Sequence, residues 1–208
     1  MVIPKHKVFI SYHHLNDQAY KEELIRLNKH NDIFIDASVD TGDIDENLSD
    51  ESIRQKIRDE YLRYSTVTIV LVGTETKNRK HVDWEIYSSM YDGQVNKKSG
   101  VLAINLPTTG CACYTATHGD EEKNKIYPSI LSWTNIKTRK EYEDRYPYMS
   151  ARIIDNLLKV GVKLSVTNWN TIVADTEKLK LLIDLTYKDR AECDYDLSRP
   201  MLRANSYS

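Results

Sequence analysis

The chain has 208 residues, 40% hydrophobic and 29% charged, the profile of a folded globular protein with one substantial core and room for an extension. A net charge of -2 offers no global field for nucleic acid or an acidic membrane surface, and the longest apolar runs are strand-sized, so neither partner is expected. The opening "MVIPKHKVFI" lacks a signal-peptide pattern and the three cysteines lack the spacing of a disulfide framework, which together point to the cytoplasm.

"KVFISY" (7–12) is short, β-branched and aromatic, and reads as a buried strand. Asp17 can cap the helix that follows, with Leu24 and Leu27 on one face. "DIFIDA" (32–37) is a second strand, and "SVDTGDIDENLSD" (38–50) is an acidic loop long enough to suggest a functional or disordered segment. Ser49 then caps a helix with Ile53, Ile57 and Tyr61 at helical spacing. "TVTIVLVG" (66–73) is apolar at nearly every position, as a central parallel strand covered on both faces should be. A helix within "RKHVDWEIYSSM" (79–90) comes next, then a fourth strand in "GVLAINLP" (100–107). The alternation of strands and helices predicts an α/β sandwich around a parallel sheet. Beyond Pro107 the pattern decays into a polar excursion, with helices returning at about 147–159 and at 175–192, the latter capped by Asp175. We divide the chain into an α/β domain, 1–160, with a polar insertion at about 108–146, and a helical C-terminal extension, 161–208, packed on it. Fourteen Tyr and three Trp against two Phe favour half-wet aromatic surfaces, hence pockets or interfaces.

Ligands of an open parallel sheet bind beyond the carboxyl ends of its strands, where strand order reverses. Ser11, Tyr12, His13 and His14 end the first strand, and Asp36 and Ser38 end the second. In the helix after the third strand, Val82, Ile86 and Met90 form the sheet-facing stripe, with Glu85 and Ser89 beside it and His81 one turn before Glu85. Glu85 is therefore expected half-buried, near His81 and Trp84, its pKa raised by burial and lowered by any charge on His81. Glycine-rich nucleotide fingerprints are missing: neither GxGxxG nor GxxxxGK[ST] occurs. A receiver domain would want paired acids where Ser11 and Tyr12 stand, and a flavodoxin would want a phosphate loop in place of "HHLND". Cys111, Cys113 and His118 offer soft ligands but no regularly spaced fourth, so no metal is expected, and adjacent His13 and His14 point opposite ways on an extended segment.

"KVFISYHHLND", "IFIDAS" and "STVTIVLVGTETKNRKHVDWEI" together resemble the TIR-like domains of bacterial Thoeris anti-phage defence proteins, the ThsB type, over about residues 5–107. The resemblance implies a flavodoxin-like or TIR-like three-layer sandwich with about four to five parallel strands. It also implies cleavage of the nicotinamide–ribose bond of NAD+, a substrate rather than a cofactor, to make a cyclic or modified ADP-ribose that activates an effector protein. The family's catalytic glutamate, in a W-C-x-x-E or W-V-x-x-E pattern, falls on Glu85; the aromatic expected four residues earlier is His81, and Trp84 stands immediately before the glutamate. Ser11, Tyr12, His13, Asp36, Ser38, His81 and Trp84 are the implied substrate contacts, Trp84 either stacking or packing. The loop 38–50 corresponds to one that gates the site or joins protomers, which brings in a homo-oligomer or filament and a phage-derived activator. Two other readings stay open: a non-enzymatic TIR-like adaptor, and a nucleoside deoxyribosyltransferase-like enzyme.

Overall fold

Strand β3 (Val67–Val72) is buried at all six positions, so it needs cover on both edges and both faces. In the computed structural model, which describes residues 4–38, 47–94 and 96–206, it has both. On one side it pairs with β1 (Lys7–Ser11), on the other with β4 (Gly100–Asn105); β2 (Ile35–Asp36) lies outside β1 and β5 (Ser165–Asn168) outside β4. The order β2-β1-β3-β4-β5 is parallel throughout, a flavodoxin-like arrangement in which the chain leaves β1 for one edge and returns to its other side. The crevice between β1 and β3 is that switch point.

Alternation along the strands sorts the core into two faces. Ile69, Leu71, Leu102 and Ile104 meet α1 (His14–Asn31) through Leu24 and α8 (Thr176–Asp189) through Leu179, Leu182 and Ile183. Val70, Val72, Val101 and Ala103 meet α3 (Lys80–Met90) through Val82, Ile86 and Met90 and α6 (Ala151–Leu158) through Ile153 and Ile154. Gly100 lets α8 close on the start of β4, since a Cβ there would stand 2.4 Å from the Thr186 carbonyl oxygen. Among the described residues no helix is long and apolar enough to cross a membrane.

Three local expectations shift. Strand 32–37 shrinks to two residues because the amides of Ile33 and Phe34 donate to the Asn28 side chain, at 3.0 and 2.8 Å, rather than to a neighbouring strand. The first helix begins before Asp17, at His14, so Asp17 lies in its first turn and His13 is the N-cap residue. The sequence predicts no strand at 165–168; there the buried hydroxyls of Ser165 and Thr167 are bonded to Glu122 of α4 (Asp120–Ile126) and to Tyr127, which come from the polar stretch after Pro107, and β5 runs on into α7 (Trp169–Ala174). That stretch also runs beside β5, with Thr115 bridged antiparallel to Val166. Ser49 and Asp175 cap as expected, starting α2 (Asp50–Lys56) and α8. Residues 39–46 of the expected acidic loop lie outside the described residues.

Candidate active site

β1 ends in Ser11 with its hydroxyl buried, in register with Val70. The Val82–Ile86–Met90 stripe holds α3 against β3 and β4, and this sets Glu85 over the end of β1. Ser11 Oγ donates to Glu85 Oε2 at 2.6 Å, joining residues 74 positions apart. Glu85 is 6% exposed, deeper than the half-burial expected from its place beside the stripe. Burial pushes its carboxyl up to about 8 against the opposing hydrogen bond from Ser11, so at neutral pH it mostly carries its proton. One turn on, Ser89 Oγ and Thr68 Oγ1 pair at 2.7 Å, a second polar clasp between α3 and β3.

A second carboxyl on this edge was hidden in the sequence by its resemblance to a helix cap. Asp17, 1% exposed, lies against Gly73 at the end of β3, where a Cβ would stand 2.4 Å from both carboxyl oxygens. Burial raises Asp17 to about 6, tempered by the His13 amide, and its Oδ2 has no hydrogen-bond partner among the described residues. The Gly73 amide donates to Thr76 Oγ1 at 2.8 Å, turning the chain toward α3. His13 is half-buried, and burial followed by the Arg79 charge lowers its imidazole pKa; Arg79 itself pairs with Glu75 at 2.6 Å.

The start of α3 is also strapped from outside. Arg152 forks onto Asp83 with two 2.9 Å bonds and donates to the carbonyls of Arg199 and Pro200. Trp84 Nε1 donates to the Leu202 carbonyl at 2.7 Å, the Lys80 amide to Asn205 Oδ1 at 3.0 Å, and Ser206 bonds Asn78 twice. Nothing in the sequence pattern signals these contacts, which join residues 47 to 128 positions apart.

The structure therefore brings Ser11 and Glu85 into contact and gathers Tyr12, His13 and Asp17 on the same strand end. Tyr12 is buried, its hydroxyl on Gln18 Oε1 at 2.6 Å and its ring stacked on His14. Trp84 is fully buried with Phe9, Ile53, Ile57 and Met201, which is the position of a packing group. His81 is exposed, edge-on to Trp84 at 5.0 Å. Asp36 pairs in register with Val8, three residues before Ser11 and so roughly 10 Å short of it along the strand. Its carboxylate accepts from the Ser38 amide at 2.9 Å, so these two form a turn of their own. Cys111 contacts the Arg145 carbonyl while the His118 ring contacts Asp189 and Thr186, and no group of three His, Cys, Asp or Glu side chains among the described residues is arranged to hold a metal.

A parallel sheet of this order, with a carboxyl delivered to its switch point by the helix after β3, defines an α/β domain with a built polar site at the expected crevice. Residues 9–110, which include Ser11, Asp17 and Glu85, match the family model described as Thoeris protein ThsB, TIR-like domain: this segment is a TIR-like domain of the Thoeris ThsB type. The match spans about half the chain and leaves residues 111–208 outside it. No curated protein matches the chain.

Proposed function

We propose that the domain cleaves the nicotinamide–ribosyl bond of NAD+ in anti-phage defence and releases a cyclic or modified ADP-ribose that activates an effector protein. The observation that carries this reading is the buried Ser11–Glu85 pair at the switch point of a ThsB-type TIR-like domain. Nicotinamide leaves a pyridinium as a neutral molecule, so the reaction needs no acid to protonate the leaving group, and one carboxylate suffices where ordinary glycoside hydrolysis calls for two. A protonated Glu85 is the wrong species for that task. The cationic nicotinamide ring, placed beside it, would favour ionisation, and the carboxylate would then stabilise positive charge building on the ribose. Ser11 supplies the hydrogen bond that favours the charged form. A site closed to water directs attack on C1′ to a group of the same molecule rather than to water. In this reading the chain acts in the cytoplasm, responds to a phage-derived activator and assembles with copies of itself through the loop at 38–50.

The depth of Glu85 favours one other reading, in which the carboxyl is a permanently neutral core group of a TIR-like adaptor. Extracts of phage-infected cells expressing wild type or Glu85→Gln, compared by mass spectrometry, separate the two. A new ADP-ribose-related nucleotide confined to wild type supports the enzyme; identical extracts with defence intact in both support the adaptor.

A further inference from the structure

The stretch between β4 and α6 lies outside the family match from residue 111 on, yet it builds a cleft of about 340 Å3. Its floor is the segment 114–117, which runs beside β5, and its walls are residues 132–136 and helix α5 (Arg139–Arg145). The volume lies within the range for ligand sites, ~300–1,000 Å3.

The lining has a distinct chemistry. Tyr114 is stacked on Tyr127 at 4.3 Å, and Tyr127 is fixed by its hydroxyl to Thr167 of β5. Trp133 stands edge-on to both rings at 5.7 Å, so the aromatic wall is braced against the sheet rather than hung on a loose loop. Two cations flank it. Lys123 Nζ sits 5.4 Å from the Trp133 ring, and Arg145 is steered into place by bonds to the Tyr114 carbonyl at 2.9 Å and the Tyr146 hydroxyl at 3.3 Å. Neither cation has a carboxylate within ion-pair distance among the described residues, whereas Arg139 and Lys140 of the same helix α5 are both paired with acids. Among the described residues no Asp or Glu lines the cleft, while Thr134 and Asn135 add neutral hydrogen-bonding groups. Unneutralised cations beside a fixed aromatic wall are the recognition chemistry of a phosphate joined to a planar base.

We propose that this cleft is a second ligand site, which takes a mononucleotide-class anion by setting its base against Tyr114 and Trp133 and its phosphate between Lys123 and Arg145. An acidic peptide would satisfy the cations but leave the aromatic wall without a planar partner. The proposal does not depend on NAD+ cleavage at Glu85.

The test titrates the full chain with AMP, following heat of binding and tryptophan fluorescence, with adenosine, inorganic phosphate and poly-glutamate as further probes. Saturable AMP binding with a Kd of roughly 10 μM to 1 mM is expected. Lys123→Glu should weaken it at least ~10-fold, Trp133→Leu should weaken it comparably, and Glu85→Gln should leave it unchanged. Circular dichroism confirms that each variant is folded; if Trp133→Leu is not, Lys123→Glu alone decides. The proposal is overturned if AMP fails to bind, if Lys123→Glu binds as wild type does, if inorganic phosphate binds as tightly as AMP, or if poly-glutamate binds in its place.

Discussion

Replacing Glu85 by Gln should make the unliganded protein more stable, and increasingly so as pH rises. The native carboxyl has a pKa of about 8, against an ordinary value of 4.5, because it is buried with only the Ser11 hydroxyl favouring its charged form. Between those two values the native state holds a proton that the unfolded chain releases, so this group's contribution to stability falls as pH rises through the window. Glutamine imitates the protonated acid in shape and charge and escapes that penalty. The gain should be about 1 kcal/mol near pH 5, roughly 3 kcal/mol near pH 7 and 4–5 kcal/mol by about pH 9, where the native carboxyl has ionised. For a chain of this size the neutral-pH figure corresponds to a Tm higher by roughly 6–12 °C. Urea unfolding of wild type and variant at the three pH values measures the difference, and every other titrating group common to both chains cancels. A gap that stays constant with pH, or a variant less stable than wild type near neutrality, would refute the claim that Glu85 is buried with its proton.

Arg152→Met leaves Asp83 buried without its partner and removes the donors to the Arg199 and Pro200 carbonyls; unfolding measurements should show a loss of roughly 3–5 kcal/mol. A loss under about 1 kcal/mol would mean the strap over α3 contributes little. Gly73→Ala drives a methyl group into the Asp17 carboxyl and should cost about 1–3 kcal/mol. Asp17→Ala in the same chain should recover most of that, so fully additive penalties would contradict the contact. Ser11→Ala removes the bond that favours ionised Glu85, so the pH of half-maximal nicotinamide release should move up by about one unit; an unmoved profile would detach Ser11 from the carboxyl's ionisation.

The parts of this fold that could be read from sequence are those whose pattern is local. β3 and β4 are apolar throughout, and the Val82–Ile86–Met90 spacing announces the buried side of α3, which by itself brings Glu85 to the switch point. β5 is hidden in the sequence because its buried hydroxyls look like loop residues until Glu122 and Tyr127 arrive from about forty positions away to satisfy them. β2 reads longer in the sequence than it is because Asn28, one helix turn from the end of α1, takes the amides that a longer strand would use. Asp17 has the position and chemistry of a cap, and only the close approach of Gly73 reveals it as a buried acid. The depth of Glu85 is hidden in the sequence for a related reason. The helix that carries it is covered by Met201 and held by Leu202 and Asn205, whose distance in sequence hides their part in the site.

If Glu85 is the carboxylate of an NAD+-cleaving site, release of nicotinamide depends on it. Purified wild type and Glu85→Gln, each mixed with NAD+ and an extract of phage-infected cells lacking the protein, would be followed by chromatography over time. Wild type should release nicotinamide, and Glu85→Gln should do so at a rate at least ~100-fold lower while folded and more stable. Equal rates in the two proteins would contradict it, because the buried acid would then be part of the core and not of the chemistry.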